Sequence, residues 1–342
     1  MDVRRTSEDP LTRLLAGEDL SSADTQLIFE ALTRGELTEI WITALLVALK
    51  VKGETEHELV GAARALAAAA VPFPRPDYLF ADTCGTGGDG SGSINISTAA
   101  ALVAAAAGLP IAKHGNRSAS SHCGSADVLE RLGARIDLPP EDSRRVLDEA
   151  GFCFLFTPQY HPSVAVAGPV RRMLKARTIM NFMGPCLNPA RPPVQLLGTS
   201  REDLLEPISR TLAELGTQKA LVVYGSGMDE VAVHGDTHAI RLSQGRLSRE
   251  KIRPEDFGIE RSQLESLKGG GLEENAERLK NVLMGRGRPA ETAAVALNAA
   301  ALLATAGSEG DIGTFYEQAR DILHRGAAYD RLIHFIALST EQ

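Results

Sequence analysis

The rhythm of apolar and polar positions changes twice along the chain. Through residue 75, segments near 11–33, 37–51 and 55–70 place apolar residues at helical spacing, and Arg34-Gly35 and Lys52-Gly53 interrupt them. This predicts a helical block, closed by the three prolines of VPFPRPDY (71–78). Beyond it, the short apolar runs YLFADT (78–83), LPIAKHG (109–115), FCFLF (152–156) and KALVVYG (219–225) alternate with helical stretches. That is the β-α-β rhythm of a mostly parallel sheet covered by helices. From about 272 to 339 the helical period returns, including AETAAVALNAAALLATAG. The expected fold class is α/β. A small helical domain is expected over 1–76 and a large α/β domain with a mostly parallel central sheet over 77–342.

Charge and composition narrow the function. The 342 residues carry a net charge of −8, which argues against a general nucleic-acid binder, since that needs a basic surface. A local basic pocket for a small anion is still allowed. The apolar run Ala99 to Ala107 is too short to span a bilayer, and MDVRRTSEDP does not lead into an apolar leader. Neither a membrane nor a nucleic acid is therefore expected as a partner. Cys84, Cys123, Cys153 and Cys186 form no C-x-x-C pair. They read as reduced thiols of a cytoplasmic protein.

The candidate chemistry begins at GTGGDG, which contains the spacing G-x-G-x-x-G at Gly85, Gly87 and Gly90. A dinucleotide site needs its third glycine to open the helix, and an acid about 20 residues on. Here the helix is expected at NIST, capped by Asn95, and no Asp or Glu occurs from Ser91 to Ala126. Lys113, His114 and Arg117 stand where the acid should be. A P-loop is excluded because no Gly-Lys-Ser/Thr follows. Alone, the glycines could be a tight turn. A second loop changes that: KHGNRSASSHCGSAD (113–127) places a lysine, serines and a helix start after another apolar run, a pattern that suits an anion. Asp229 and Glu230 follow a third run and a glycine turn, where two carboxylates beside a diphosphate would suit Mg²⁺. Ser120, Ser121 and His122 are sequence neighbours and cannot face one another as a triad must.

Taken in order, GTGGD (85–89), NIST (95–98), KHGNR (113–117), SS-x-x-GSADVLE-x-LG (120–133), FLF-x-P-x-x-HP (154–162), PVRR-x-L (169–174), RT-x-x-N-x-x-GP-x-x-NPA (177–190) and DE (229–230) resemble the anthranilate phosphoribosyltransferase family. This is the tryptophan-biosynthetic branch of the nucleoside-phosphorylase-like phosphoribosyltransferases. The resemblance spans essentially the whole chain. The chain differs from the family's usual pattern at Ser93-Ile94, Val164-Ala165-Val166 and Cys186-Leu187.

The resemblance implies transfer of the phosphoribosyl group of phosphoribosyl pyrophosphate (PRPP) to the amine of anthranilate. It implies that Gly85, Thr86, Gly87, Gly88, Asp89, Ser93, Asn95, Ile96, Ser97, Thr98, Lys113, His114, Gly115, Asn116, Ser121 and Ser125 bind PRPP. Gly85, Asn116, His161, Arg171 and Gly184 would line the anthranilate site, and Ser97, Asp229 and Glu230 would ligate two Mg²⁺ per protomer. No side chain is implied as a general acid or base. A homodimer through the helical domain is implied as well, with helices around 167–190 joining that domain.

Overall fold

The computed structural model describes residues 9–118, 123–307 and 311–341. It begins with α1 (Pro10–Leu15), α2 (Ser22–Thr33), α3 (Glu39–Lys52) and α4 (Glu56–Ala68). Side chains of Asp9, Ser21, Thr38 and Thr55 accept hydrogen bonds from first-turn N–H groups, and Thr55 with Glu58 completes a capping box. The single helical segment expected over 11–33 is two helices, because Gly17 takes φ 82° and turns the chain. Leu14 and Leu20 are both buried across that break, so the apolar rhythm hides it.

Seven strands form one sheet: β1 (Ala81–Gly85), β2 (Ile111–Gly115), β3 (Phe152–Phe156), β4 (Val194–Gly198), β5 (Lys219–Gly225), β6 (Thr237–Ser243) and β7 (Arg246–Ile252), in the order β3-β2-β1-β4-β5-β6-β7. The first five are parallel, while β6 and β7 add an antiparallel hairpin. The sheet separates two apolar cores. Along β5, Leu221 and Val223 enter one core and Ala220 and Val222 the other, as the two-residue period of a strand requires.

The first core holds α5 (Ile96–Ala106), α6 (Ser125–Arg131), α7 (Pro140–Ala150) and the C-terminal helices. Helix Pro289–Ala306 is long and apolar enough to cross a membrane by length and composition, yet most of it is buried here, against α5 and the sheet. The second core gathers α1–α4, helices Gly168–Leu174 and Ile179–Met183, and helix Leu205–Glu214.

Candidate active site

Strand order reverses between β1 and β4, and open α/β sheets place ligand crevices at the carboxyl ends of the strands at such a point. Four parallel strands end there on glycine: Gly85, Gly115, Gly198 and Gly225. Each glycine admits a neighbour that a Cβ would displace. Gly85 and Gly198 both meet Asp229, Gly115 meets Ser125 and Phe154, and Gly225 meets the Glu230 carbonyl. The carboxyl edge is thus closed down over the residues that the sequence singled out.

The loop after β1 folds onto the 229–230 turn. Gly87 N–H donates to Asp229 Oδ2 at 2.6 Å, and Asp229 N–H donates to Asp89 Oδ2 at 3.4 Å. The other Asp89 oxygen accepts from Ser91. Thr86 Oγ1 donates to Ser200 Oγ at 3.4 Å. Ser93 bridges to Lys268, which pins the far side of the loop. Gly87 and Gly88 hold φ of 69° and 66°, the left-handed region that glycine tolerates.

Asn95 occupies the cap position of α5 but makes no capping hydrogen bond. Its amide instead donates to Cys123 O at 3.2 Å. The orphan N–H of Ser97 is taken by Glu230 Oε1 at 3.1 Å, so a carboxylate remote in sequence does part of the capping. Ile96 and Thr98 are buried behind it, and the Thr98 hydroxyl has no hydrogen-bond partner among the described residues. Lys113 is buried at β2; its Nζ donates to Thr83 O at 2.5 Å and Ser97 Oγ at 3.3 Å.

Burial pushes the Asp229 carboxyl up to about 7, with Asp89 as a further cause. Burial, with Asp229 beside it, also pushes Glu230 well above the usual carboxylate range. This corner holds more acid than base. Among the described residues no three His, Cys, Asp or Glu side chains converge as a closed metal cage. An open pair of hard oxygen donors is what Mg²⁺ uses when a substrate supplies the remaining ligands.

A second group adjoins the first. Gly115 O accepts from Thr157 Oγ1 at 2.8 Å, and His114 Nε2 lies 3.1 Å from that hydroxyl. The His114 and His161 rings stand 5.3 Å apart. His161 Nε2 donates to Leu187 O at 2.8 Å, which leaves its buried Nδ1 as a lone pair without a partner among the described residues. The Gly184 backbone lies close enough to the His114 ring to favour its protonated form, against the larger opposing effect of burial. Asn116 O accepts from Ser125 Oγ at 3.4 Å. Arg171 follows His161 by one short turn and a helix start. Its guanidinium is half-buried and makes no hydrogen bond or ion pair among the described residues, and burial lowers its pKa. Ser121 lies outside the described residues. Arg117 is bound to Asp127 and Glu130, and so is not available to an anion.

Two residues to which the sequence reading gave no role belong here. Asp82, buried on β1, accepts from His114 N–H at 3.3 Å and Asn188 Nδ2 at 2.8 Å. Arg177 lies against the carbonyls of the 85–89 loop. An Asp inside an apolar strand and an Arg beside a threonine carry no local signal of either contact.

Residues 9–70 match the glycosyl transferase family, helical bundle domain, and residues 77–329 match the glycosyl transferase family, a/b domain. An anthranilate phosphoribosyltransferase of Sorangium cellulosum is 54% identical over 96% of this chain and 94% of its own. The chain belongs to the anthranilate phosphoribosyltransferase family. The family's fold is equally plain. The crystal structure of the Thermus thermophilus enzyme superposes with a TM-score of 0.92 at 39% identity, over 98% of this chain and 100% of that one. The Saccharomyces cerevisiae enzyme in complex with PRPP and Mg superposes at 0.88 with 26% identity, over 96% of each chain.

Proposed function

We propose that this site transfers the phosphoribosyl group of PRPP to the amine of anthranilate, giving N-(5-phosphoribosyl)anthranilate and diphosphate in tryptophan biosynthesis. One observation carries the reading: Asp229 and Glu230 meet the 85–89 loop and the start of α5 at the switch point of the sheet.

The loop's N–H groups and the start of α5 hold the diphosphate, and Lys113, Ser125 and Ser121 hold phosphate oxygens. Asp229, Glu230 and Ser97 Oγ hold Mg²⁺, two per protomer. The fit rests on the crowded carboxylates, whose raised pKa values a divalent cation would reverse. When bound, the metal stabilises negative charge on the leaving group. Gly85, Asn116, His161, Arg171 and Gly184 hold the acceptor, with the guanidinium of Arg171 facing its carboxylate.

The C1–O bond of PRPP breaks, and its electron pair leaves with the diphosphate. The neutral aryl amine forms the C1–N bond and then sheds one proton. The amine is already a nucleophile at neutral pH, so the chain's task is orientation and charge stabilisation.

The chain divides near residue 76, and the segment around 167–190 joins the N-terminal helices; its shared core with α1–α4 supports this. The protein works in the cytoplasm as a homodimer. Exposed Ile40, Val51 and Met173, with 84%, 81% and 67% of their surface open, support a dimer through the helical face. The test is loss of anthranilate fluorescence on adding PRPP and Mg²⁺, each omitted in turn. Turnover without PRPP, or with another aryl amine preferred, would overturn the assignment.

A further inference from the structure

The back of the glycine loop carries a cation that none of the roles above uses. Arg177 Nη1 donates to Gly88 O at 2.5 Å and Ser200 Oγ at 3.0 Å. Its Nη2 donates to Gly87 O at 2.5 Å and Thr86 O at 3.4 Å. We propose that Arg177 is a positioning residue that fixes the direction of the loop's phosphate-facing N–H groups. The inference rests on reading this loop as the diphosphate site.

The C=O and N–H of a trans peptide point in opposite directions. Three successive carbonyls held on one side therefore send the N–H groups of Gly87, Gly88 and Asp89 to the other. The first of these is seen to do so, since Gly87 N–H reaches Asp229. Those of Gly88 and Asp89 donate to no described residue. Successive N–H groups aimed at one point make an anion cradle. Nothing in a left-handed glycine pair fixes that direction by itself, because glycine has many other conformations to relax into. Arg177 supplies the fixing.

Geometry also explains why the residue is an arginine. The planar fork spans three carbonyls and a hydroxyl at once, which a single ammonium cannot. The fork is itself held: it lies over the Phe182 ring at 5.4 Å, and Phe182 is buried in the core shared with α1–α4. Gly88 has no Cβ, and one built there would overlap the guanidinium. The loop on the sheet edge is thereby braced from the segment that packs with the N-terminal helices.

The test measures Mg²⁺-PRPP binding by calorimetry, and the KM for each substrate, in wild type, Arg177→Met and Arg177→Lys, with thermal melts to check folding. Arg177→Met is expected to weaken PRPP binding by about tenfold or more and Arg177→Lys by less, with the anthranilate KM changed no more than about twofold. Millimolar methylguanidine is expected to restore part of the loss in Arg177→Met, which a general folding defect would not allow. Wild-type PRPP affinity in either variant, or equal weakening of both substrates, overturns the inference. Should Arg177→Met fail to fold, Arg177→Lys decides alone. Failure of the wild-type protein itself to bind Mg²⁺-PRPP overturns the diphosphate reading, and this inference with it.

Discussion

Asp229 Oδ2 accepts the Gly87 N–H at 2.6 Å, although the two residues stand 142 positions apart. The contact joins the acidic turn to the glycine loop before any ligand is considered, and its reach depends on Gly85 and Gly198 having no side chain. Asp229→Asn with Glu230→Gln keeps the shape and removes the charge. Folding should be retained, because two buried carboxylates with raised pKa values are relieved. Turnover should fall by orders of magnitude and respond less steeply to Mg²⁺. A titration of rate against Mg²⁺ checks this; near-normal rates at low Mg²⁺ would remove these residues from the metal site.

Gly88→Ala meets two obstacles. The position holds φ of 66°, and its Cβ would overlap the Arg177 guanidinium. A left-handed alanine costs roughly 1–2 kcal/mol before any displacement of the arginine. The KM for PRPP should rise far more than that for anthranilate. Steady-state kinetics with each substrate varied will tell, and an unchanged PRPP response would leave the glycine serving the turn alone.

What the sequence disclosed follows from where its signals are local. LPIAKHG, FCFLF and KALVVYG contain β2, β3 and β5, and YLFADT runs into the first three residues of β1, because buried parallel strands read as apolar runs. The hairpin of β6 and β7 gave no such run, since half of β7 is exposed and polar. Asn95 was legible as a helix start by its residue type. That Glu230 takes the orphan Ser97 N–H in its place was not, because that carboxylate comes from 133 positions away in the chain. Lys113, Asp229 and Glu230 stood out as charges beside apolar strands. Asp82 and Arg177 did not, since their partners are a side chain and carbonyls set by topology.

Arg171 and Arg172 are adjacent yet differ in setting. Arg172 is exposed, whereas Arg171 is half-buried, and burial lowers the Arg171 pKa. A half-buried guanidinium with no ion pair among the described residues suits the carboxylate of an acceptor. Arg171→Ala should cost on the order of 1.5–3 kcal/mol, roughly ten- to over a hundred-fold in kcat/KM for anthranilate. Mg²⁺-PRPP binding by calorimetry should change little, and Arg172→Ala should be mild in both tests. Greater sensitivity at Arg172 would move the acceptor site, and Val164-Ala165-Val166 would be the next residues to substitute.

His114 makes the protein's stability depend on pH. Its ring is buried at the end of β2; burial first, then His161 and Lys113, lower its pKa to about 3 from the ordinary 6.5. The unfolded chain protonates below pH 6.5 while the folded chain resists, so this contribution is full above 6.5 and is lost as pH falls toward 3. Between pH 7 and pH 5 the loss from one such histidine is about 2 kcal/mol. Asp229 acts with the opposite sign, since its raised pKa favours the fold at low pH and is felt as pH rises from about 4 to about 7. The wild-type slope alone therefore mixes the two. The difference between wild type and His114→Gln isolates the histidine, because glutamine cannot titrate. Denaturant unfolding at pH 5, 6, 7 and 8, without substrates, should show the variant losing about 2 kcal/mol less than wild type on going from pH 7 to pH 5. Parallel slopes in the two proteins would mean that His114 takes up its proton in the folded state as readily as in the unfolded one.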